Sequence, residues 1–447
     1  MMANSSRGSA PAAFKTPAMV QVRLFVMMAL QVAIWGAWAP KLFPYMTMLG
    51  FSAGQQALVG SSFAVASVIG LFFSNQFADR HFAAERFLGV NHALSGLCLI
   101  GVAFSTSFGA FFTFYLIYSL IYVPTLSVSN SIAFANLNQP ALEFGRVRMG
   151  GTLGWIMVSW PFYFLLSVHA TADQVRWIFL VAALLSFALS GFSFTLPSTP
   201  PRQDGAVDKF AWRESMRLLK RPYVAVLFIV TLIDAVVHNG YFVVTDAFLT
   251  DRVKIAGNIS MIVMSLGQVA EMCAMLILGG VLVRLGWRVT MIIGVLGHAA
   301  RFAVFALAAD SLWAIVTVQF LHGICYAFFF AVVYIFVEDA FPKDVRTSAQ
   351  GLFNLLILGI GMVIASFLFP FLVAHFTYFE AGADGLVAVV DYRSLFMVPI
   401  GLSMLGALLL AIGFWPASLR PEAGPSDHGT SKNDQGHGLG SPEMANV

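Results

Sequence analysis

The chain has 447 residues, of which 59% are hydrophobic and only 11% are charged. Soluble globular proteins carry about 25% charged residues, so this composition argues against a soluble fold. It indicates an integral membrane protein that has lipid around most of its surface.

Helices that cross a bilayer need about 20 mostly apolar residues. Twelve segments meet this requirement, and their apolar runs are continuous, which favours helices over a membrane barrel. The predicted spans lie near 21–47, 56–78, 87–106, 108–136, 146–168, 175–196, 223–248, 257–283, 288–308, 310–339, 346–375 and 392–415. The first apolar run is long enough to insert and remain, so no cleavable signal peptide is expected.

The longest polar interruption, residues 197–222, is rich in proline and basic side chains and divides the twelve spans six and six. We therefore predict an all-α membrane protein whose twelve transmembrane helices form two six-helix bundles. Its regions would be a cytoplasmic tail at 1–20, an N-terminal bundle at 21–196, a cytoplasmic linker at 197–222 with a short amphipathic helix near 208–220, a C-terminal bundle at 223–415, and a disordered cytoplasmic tail at 416–447.

Most of the 25 lysines and arginines fall on one predicted side of the membrane. Because cytoplasmic loops carry the excess of basic residues, this bias predicts that both termini are cytoplasmic. Two halves, a basic central loop and cytoplasmic ends follow the plan of the major facilitator superfamily. The loop 75–80 resembles that superfamily's loop motif but lacks its usual glycines, and positive-inside charge explains it equally well.

Two polar residues lie deep in the eighth predicted span. Gln268 and Glu271 are three residues apart and so face one side of a helix. A charge at the bilayer centre costs at least ~2.5–3.5 kcal/mol, so this carboxylate must meet a cavity, a cation or a proton. It is a candidate substrate anchor or proton carrier, and the alternative is a structural ion pair with Arg301.

The seventh predicted span contains Asp234 and His238 four residues apart, with Asn239 beside them. A carboxylate next to an imidazole can relay protons. Two buried polar groups of this kind can equally well satisfy each other as a structural pair, and the spacing does not decide between these interpretations.

Aromatic and polar residues also share helix faces in two other spans. Arg148, Thr152 and Trp155 form one stripe at the start of the fifth span, and His322 and Tyr326 are four residues apart in the tenth. Such groups suit a polar ring compound through hydrogen bonds to its edge and stacking on its plane. The alternatives are an arginine anchor at the cytoplasmic end and a histidine that only packs.

If these faces converge, they line one cavity that suits a nucleoside, although a plain sugar would also fit. Several stretches, in order along the chain, then resemble the nucleoside:proton symporter family of the major facilitator superfamily. They are Leu30-Gln31 with Trp35-Gly36 and Trp38, Tyr122–Leu126 with Asn130, Arg148–Trp155, Arg301–Ala303, and Phe336–Glu338 followed by Arg346–Phe353.

The resemblance implies a ligand site built from the fifth, seventh, eighth and tenth spans. Arg148, Thr152, Gln268 and Glu271 match polar positions of that site as identities, and the aromatic position of the fifth span becomes Trp155. The remaining site positions depart from the family, at Asn239, Phe242, His322 and Tyr326. A buried acid that some members carry is Ala327 here, so the base preference and the proton route stay open.

The resemblance implies a proton-coupled transporter that imports nucleosides across the inner membrane by alternating access. Substrate-binding candidates are Arg148, Thr152, Trp155, Asn239, Phe242, Gln268, Glu271, His322 and Tyr326, and proton-coupling candidates are Glu271, Asp234 and His238. The expected partners are a nucleoside, protons and lipid, with no cofactor, metal or nucleic acid, and the expected state is a monomer. A sugar transporter and a non-transporting ligand sensor are the alternatives; an enzyme is not expected, since no catalytic motif is evident.

Overall fold

The computed structural model describes residues 15–69, 82–138, 140–200, 219–341, 346–382 and 385–415. Three predicted features lie wholly or mostly outside these residues: the loop motif at 75–80, the amphipathic helix near 208–220 and the tail at 416–447.

Helices form most of the described residues before the linker. They are α1 (Ala18–Trp38), α2 (Leu42–Met48), α3 (Ala53–Ile69), α4 (Ala84–Phe104), α5 (Phe108–Asn136), α6 (Pro140–Ser159), α7 (Phe162–Leu165), α8 (Ala172–Val175) and α9 (Trp177–Ser193). A short 3₁₀ turn, Ala39–Lys41, joins α1 to α2.

The described residues after the linker are also mainly helical. They form α10 (Pro222–Ala247), α11 (Ser260–Leu307), α12 (Leu312–Val318), α13 (Leu321–Cys325), α14 (Val332–Ala340), α15 (Arg346–Asn354), α16 (Gly361–His375) and α17 (Tyr392–Gly413). Three π-helical segments, Phe248–Arg252, Tyr326–Ala331 and Leu355–Ile360, continue α10, α13 and α15.

Within the described ranges, nine helices are long and apolar enough to cross a membrane, judged by length and composition. This confirms the prediction of a helical membrane protein. One of the nine, α11, spans two predicted segments, 257–283 and 288–308. It breaks at Gly286, whose φ of 71° and ψ of 174° are not helical. A positive φ of this size favours glycine. The total of twelve spans and their division into two bundles stay predictions.

Helix packing is closest where glycines remove side-chain bulk. α1 packs along α6, and a Cβ at Gly150 or Gly154 would collide with the carbonyl oxygens of Phe25 or Ala29 on α1. Small residues spaced four apart let two helix backbones approach each other closely in membranes. On the other side of the cavity, a Cβ at Gly323 of α13 would collide with the backbone of α11. Two helix pairs, α1–α6 and α11–α13, therefore make direct backbone contact.

A buried ion pair connects the early and late parts of the chain. The Lys41 ammonium lies 3.0 and 3.1 Å from the two carboxylate oxygens of Asp246 and 3.0 Å from the Ser260 hydroxyl, which itself donates to Asp246 at 2.5 Å. All three hydrogens of the ammonium group thus have an acceptor. The pair joins the 3₁₀ turn after α1 to the end of α10 and the start of α11.

The chain between α16 and α17 forms a β-hairpin, which the sequence pattern did not predict. Strands β1 (Thr377–Gly382) and β2 (Gly385–Val390) pair antiparallel, with Thr377 opposite Val390. Neither six-residue strand alternates apolar and polar residues, so periodicity does not separate it from a connection between spans. Asp391 then caps α17 by accepting hydrogen bonds from the backbone and hydroxyl of Ser394 at 3.1 and 2.6 Å.

Candidate substrate-binding cavity

A cavity of about 640 Å³ lies among helices from both parts of the chain. Its size is within the range of pockets that bind small molecules, about 300–1,000 Å³. All nine predicted substrate-binding residues line it: Arg148, Thr152, Trp155, Asn239, Phe242, Gln268, Glu271, His322 and Tyr326. His238 lines it as well, whereas Asp234 does not. The helix faces that the sequence indicated separately therefore converge on one space.

The wall formed by α6 carries a cation, a hydroxyl group and an aromatic ring in one stripe. Trp155 is buried against Gly36 and makes edge contacts with the rings of Trp35 at 5.6 Å and Phe242 at 5.8 Å. These contacts fix the orientation of the indole ring. Arg148 remains exposed at the cavity surface, so its guanidinium is available to a ligand.

The wall formed by α11 carries Gln268 and Glu271. Within the described residues, the buried Oε1 of Gln268 has no hydrogen-bond partner. Glu271 is half-buried and shares the cavity with Arg148, whose positive charge acts on its carboxylate. Among the described residues, no cation lies within 4 Å of this carboxylate. The proposed structural ion pair between Glu271 and Arg301 is not formed, since the guanidinium contacts two imidazoles instead. Two acceptor groups on α11 are thus left for a ligand that donates hydrogen bonds.

Asn239 and Phe242 of α10 occupy the next part of the wall. The Nδ2 group of Asn239 donates to the carbonyl oxygens of Ala235 at 2.8 Å and Ile357 at 3.1 Å. Both amide hydrogens are therefore used, and the side-chain oxygen is the part left for a ligand. The second acceptor belongs to the π-helical segment Leu355–Ile360, where the regular hydrogen-bond ladder of the helix is interrupted.

His322 and Tyr326 contribute the wall between α10 and α11. The His322 ring stacks on His238 with a centroid distance of 5.0 Å and an interplanar angle of 25°, and Tyr326 lies 5.9 Å from His238. Tyr326 also begins the second π-helical segment, Tyr326–Ala331. Segments of this kind occur often at functional sites because they redirect side chains within a helix.

Asp234 lies behind this wall, and its arrangement differs from the predicted pair with His238. The nearest ionisable partner in the described chain is His298, whose Nε2 is 3.6 Å from an Asp234 carboxylate oxygen. His238 instead contacts rings that line the cavity. The i, i+4 spacing placed both groups on one helix face, but the residue that approaches Asp234 comes from another helix.

Two features of the site were not predicted. Tyr334 donates a hydrogen bond of 2.6 Å to Asn354 at the cavity surface, and His298 joins Asp234 to Arg301. The sequence contained a signal for Tyr334, because it follows Tyr326 and Phe330 at intervals of four residues, a spacing that indicates one helix face.

Among the described residues no group of three or more His, Cys, Asp or Glu could hold a metal ion.

Comparisons with known proteins identify one family. The family described as "Nucleoside H+ symporter" matches residues 18–418. YegT of Escherichia coli (strain K12) is 31% identical over 351 residues, which cover 76% of this chain and 82% of that protein. The xanthosine permease of the same organism is 27% identical over 413 residues, or 88% of this chain and 96% of that protein.

A solved structure shares the fold. The crystal structure of the nucleoside transporter NupG superimposes with a TM-score of 0.76 at 24% identity, covering 88% of this chain and 98% of that chain. Identity at this level supports a common fold. The helices that surround the cavity therefore follow an arrangement already observed in a transporter.

Proposed function

This chain belongs to the nucleoside H+ symporter family, and from that premise we propose that its central cavity binds a nucleoside for proton-coupled import across the inner membrane. The architecture is that of the major facilitator superfamily, with twelve helices in two six-helix bundles and both termini in the cytoplasm. Such transporters expose a central site alternately to the two sides of the membrane. The protein acts as a monomer, and the proton gradient takes the place of a cofactor.

One observation supports this proposal most directly: Arg148 on α6 and Glu271 on α11 share a single cavity whose lining also includes the aromatic rings of Trp155, Phe242 and Tyr326. A nucleoside has a sugar whose hydroxyl groups donate hydrogen bonds and a flat base with polar edges. Glu271 and the unpartnered Oε1 of Gln268 suit the ribose hydroxyls because both groups accept hydrogen bonds.

The base would lie toward α6 and α10. Trp155 and Phe242 offer ring faces and edges on which a base can stack. Arg148 donates to acceptor atoms at the base edge, and the Thr152 hydroxyl can either donate or accept. Asn239, His322 and Tyr326 bound the remaining side and supply one further acceptor or donor each.

Proton coupling requires a group that changes charge within the membrane. Glu271, Asp234 and His238 are the candidates, since each lies at or beside the cavity and can gain or lose a proton. A carboxylate that is charged and unpaired opposes closure of the protein around it, whereas a protonated or ligand-paired carboxylate permits closure. Binding of both substrate and proton would then be needed before the cavity can change sides.

Ligand specificity is tested by thermal stabilisation of the purified protein. We expect uridine or adenosine to stabilise the protein more than nucleobases or sugars do, at each of two pH values. Uptake of labelled uridine into proteoliposomes should be blocked by other nucleosides and not by sugars. Inhibition by sugars alone would identify a sugar or glycoside transporter, and binding without any flux would identify a sensor.

The role of Glu271 is tested by Glu271→Gln, which keeps the shape of the side chain and removes its charge. We expect concentrative uptake to be abolished while the protein still reaches the membrane. Glu380→Gln is the matched control, because Glu380 is exposed on the β-hairpin away from the cavity. Accumulation by Glu271→Gln at the level of this control would remove Glu271 from the mechanism.

A further inference from the structure

Four buried ionisable residues form a group directly behind the cavity wall, and we call Asp234, His298, Arg301 and His322 the Asp234 cluster. They come from α10, α11 and α13, and the solvent-exposed fraction of each is 0% except for His322 at 2%. His322 is the one member of the cluster that also lines the cavity. The cluster therefore connects a fully buried carboxylate to the surface that would contact a ligand.

Arginine fixes the hydrogen positions in this cluster. The guanidinium nitrogens of Arg301 lie 2.6 Å from Nδ1 of His322 and 3.0 Å from Nδ1 of His298. A guanidinium group only donates hydrogen bonds. Both Nδ1 atoms must therefore accept, so both imidazoles are neutral and carry their hydrogen on Nε2.

That assignment directs a histidine N–H toward Asp234. His298 Nε2 is 3.6 Å from an Asp234 oxygen, and neither carboxylate oxygen has a hydrogen-bond partner among the described residues. The other polar or titratable neighbours that face the cluster are His238, Tyr241, Gln319 and Cys325. The Tyr241 ring lies under the guanidinium at 4.0 Å and its hydroxyl donates to Gln319 at 2.8 Å, while the Cys325 sulfur packs against Gly297, next to His298.

The charge of this cluster depends on one proton. Arg301 stays positive under all physiological conditions, and both imidazoles that touch it are neutral. An ionised Asp234 makes the cluster neutral overall, and a protonated Asp234 leaves it with a net positive charge. Because a buried net charge is costly, the two forms should favour different packings of α10 against α11 and α13.

We propose that Asp234 is the residue whose protonation drives nucleoside accumulation, and that His298, Arg301 and His322 carry its charge state to the cavity wall. The proton comes from water in the cavity, binds to a carboxylate oxygen, and leaves from the same atom when the cavity faces the other side. His238 follows Asp234 by four residues on α10 and lines the cavity, so it offers the proton a polar group on its way. This inference rests on the proposed function, and it assigns the ligand-contacting role to Glu271 and the coupling role to Asp234.

The test is Asp234→Asn in proteoliposomes, with Thr231→Val as the matched control. Thr231 is equally buried one turn earlier on α10, and its hydroxyl donates only to the backbone of its own helix. A gradient of one pH unit can drive about tenfold accumulation per proton. We expect Thr231→Val to accumulate uridine as wild type does. Asp234→Asn should lose this accumulation. Its exchange of labelled for unlabelled uridine in the absence of a gradient should fall far less.

Gradient-driven accumulation by Asp234→Asn at the wild-type level would overturn the inference. So would a variant that melts like wild type but loses exchange and accumulation to the same extent. If Asp234→Asn does not fold, Asp234→Glu keeps the carboxyl group and moves it by one methylene. A displaced pH profile of accumulation in this variant would support the assignment, and an unchanged profile would refute it. Absence of nucleoside transport by the wild type would instead refute the proposed function.

Discussion

The buried pair between Lys41 and Asp246 allows a quantitative test of what connects the early and late parts of the chain. Lys41→Met keeps much of the side-chain length and removes the charge. Asp246 would then be buried as an anion, with Ser260 as the remaining partner among the contacts described above. Removing one partner of a buried ion pair costs about 3–5 kcal/mol because the other charge loses its compensation. We expect a loss of stability in this range.

The single variant Asp246→Leu and the double variant of Lys41 and Asp246 measure the interaction between the two buried charges. Asp246→Leu leaves the charge of Lys41, whose side chain is only 4% exposed, without its partner, and the loss of stability should be similar. Replacing both residues, as in Lys41→Met with Asp246→Leu, removes both charges, and such exchanges are often neutral or stabilising by about 1–4 kcal/mol. The double variant should therefore be more stable than either single variant.

Equilibrium unfolding in mixed micelles, with the fraction of denaturing detergent as the variable, measures these differences. The exposed pair of Arg252 and Asp310, 2.7 Å apart, is the control. Asp310→Asn should change the free energy of unfolding by about 0–1 kcal/mol, as is usual for surface pairs. Single variants of Lys41 and Asp246 that are as stable as this control would refute the reasoning, and so would a double variant whose loss equals the sum of the two single losses.

Three further predictions concern single positions. Trp155→Ala should weaken uridine binding by about 1–3 kcal/mol in titration calorimetry if the base stacks on the indole ring, and an unchanged affinity would mean that the ring only packs. Gly323→Ala should cost about 1–3 kcal/mol of stability because its Cβ collides with the backbone of α11, whereas Gly279→Ala, which has open space around it, should melt like wild type. Asp391→Ala should lower the stability measured by thermal unfolding by about 1 kcal/mol at neutral pH. Hydrogen bonds from Ser394 lower the pKa of Asp391, so the stabilisation by its carboxylate is fully present above the unfolded-state pKa. The stability difference between wild type and Asp391→Ala should vanish as the pH falls through the lowered pKa.

Several parts of this structure follow from the sequence for a simple physical reason. A long, continuous apolar segment in a bilayer forms a helix, and the predicted span at 108–136 coincides with α5 because a helix makes every backbone hydrogen bond within its own segment. Polar residues within such runs are costly, so Gln268 and Glu271 were recognisable, and their spacing gave the shared face. Local rules of length and periodicity were sufficient for these features.

Contacts between residues that lie far apart in the chain could not be predicted from these local rules. Lys41 falls near the end of the predicted span 21–47, and nothing in that span identifies a partner for it, yet the fold buries it against Asp246 on another helix. Asp234 reads as a partner of His238, yet it approaches His298. The side chain that completes a buried polar group is chosen by helix packing, and spacing along one helix carries no information about it.

The two glycine-mediated helix pairs determine which distances in the cavity can change. Backbone contact fastens α6 to α1 and α13 to α11, so each pair should travel as a single rigid body. Gln268 and His322 belong to one pair and should keep their separation during the proposed alternating-access motion. Arg148 and Glu271 belong to different pairs, so a distance measured between spin labels on their helices should change if that motion occurs, whereas a distance measured within either pair should not.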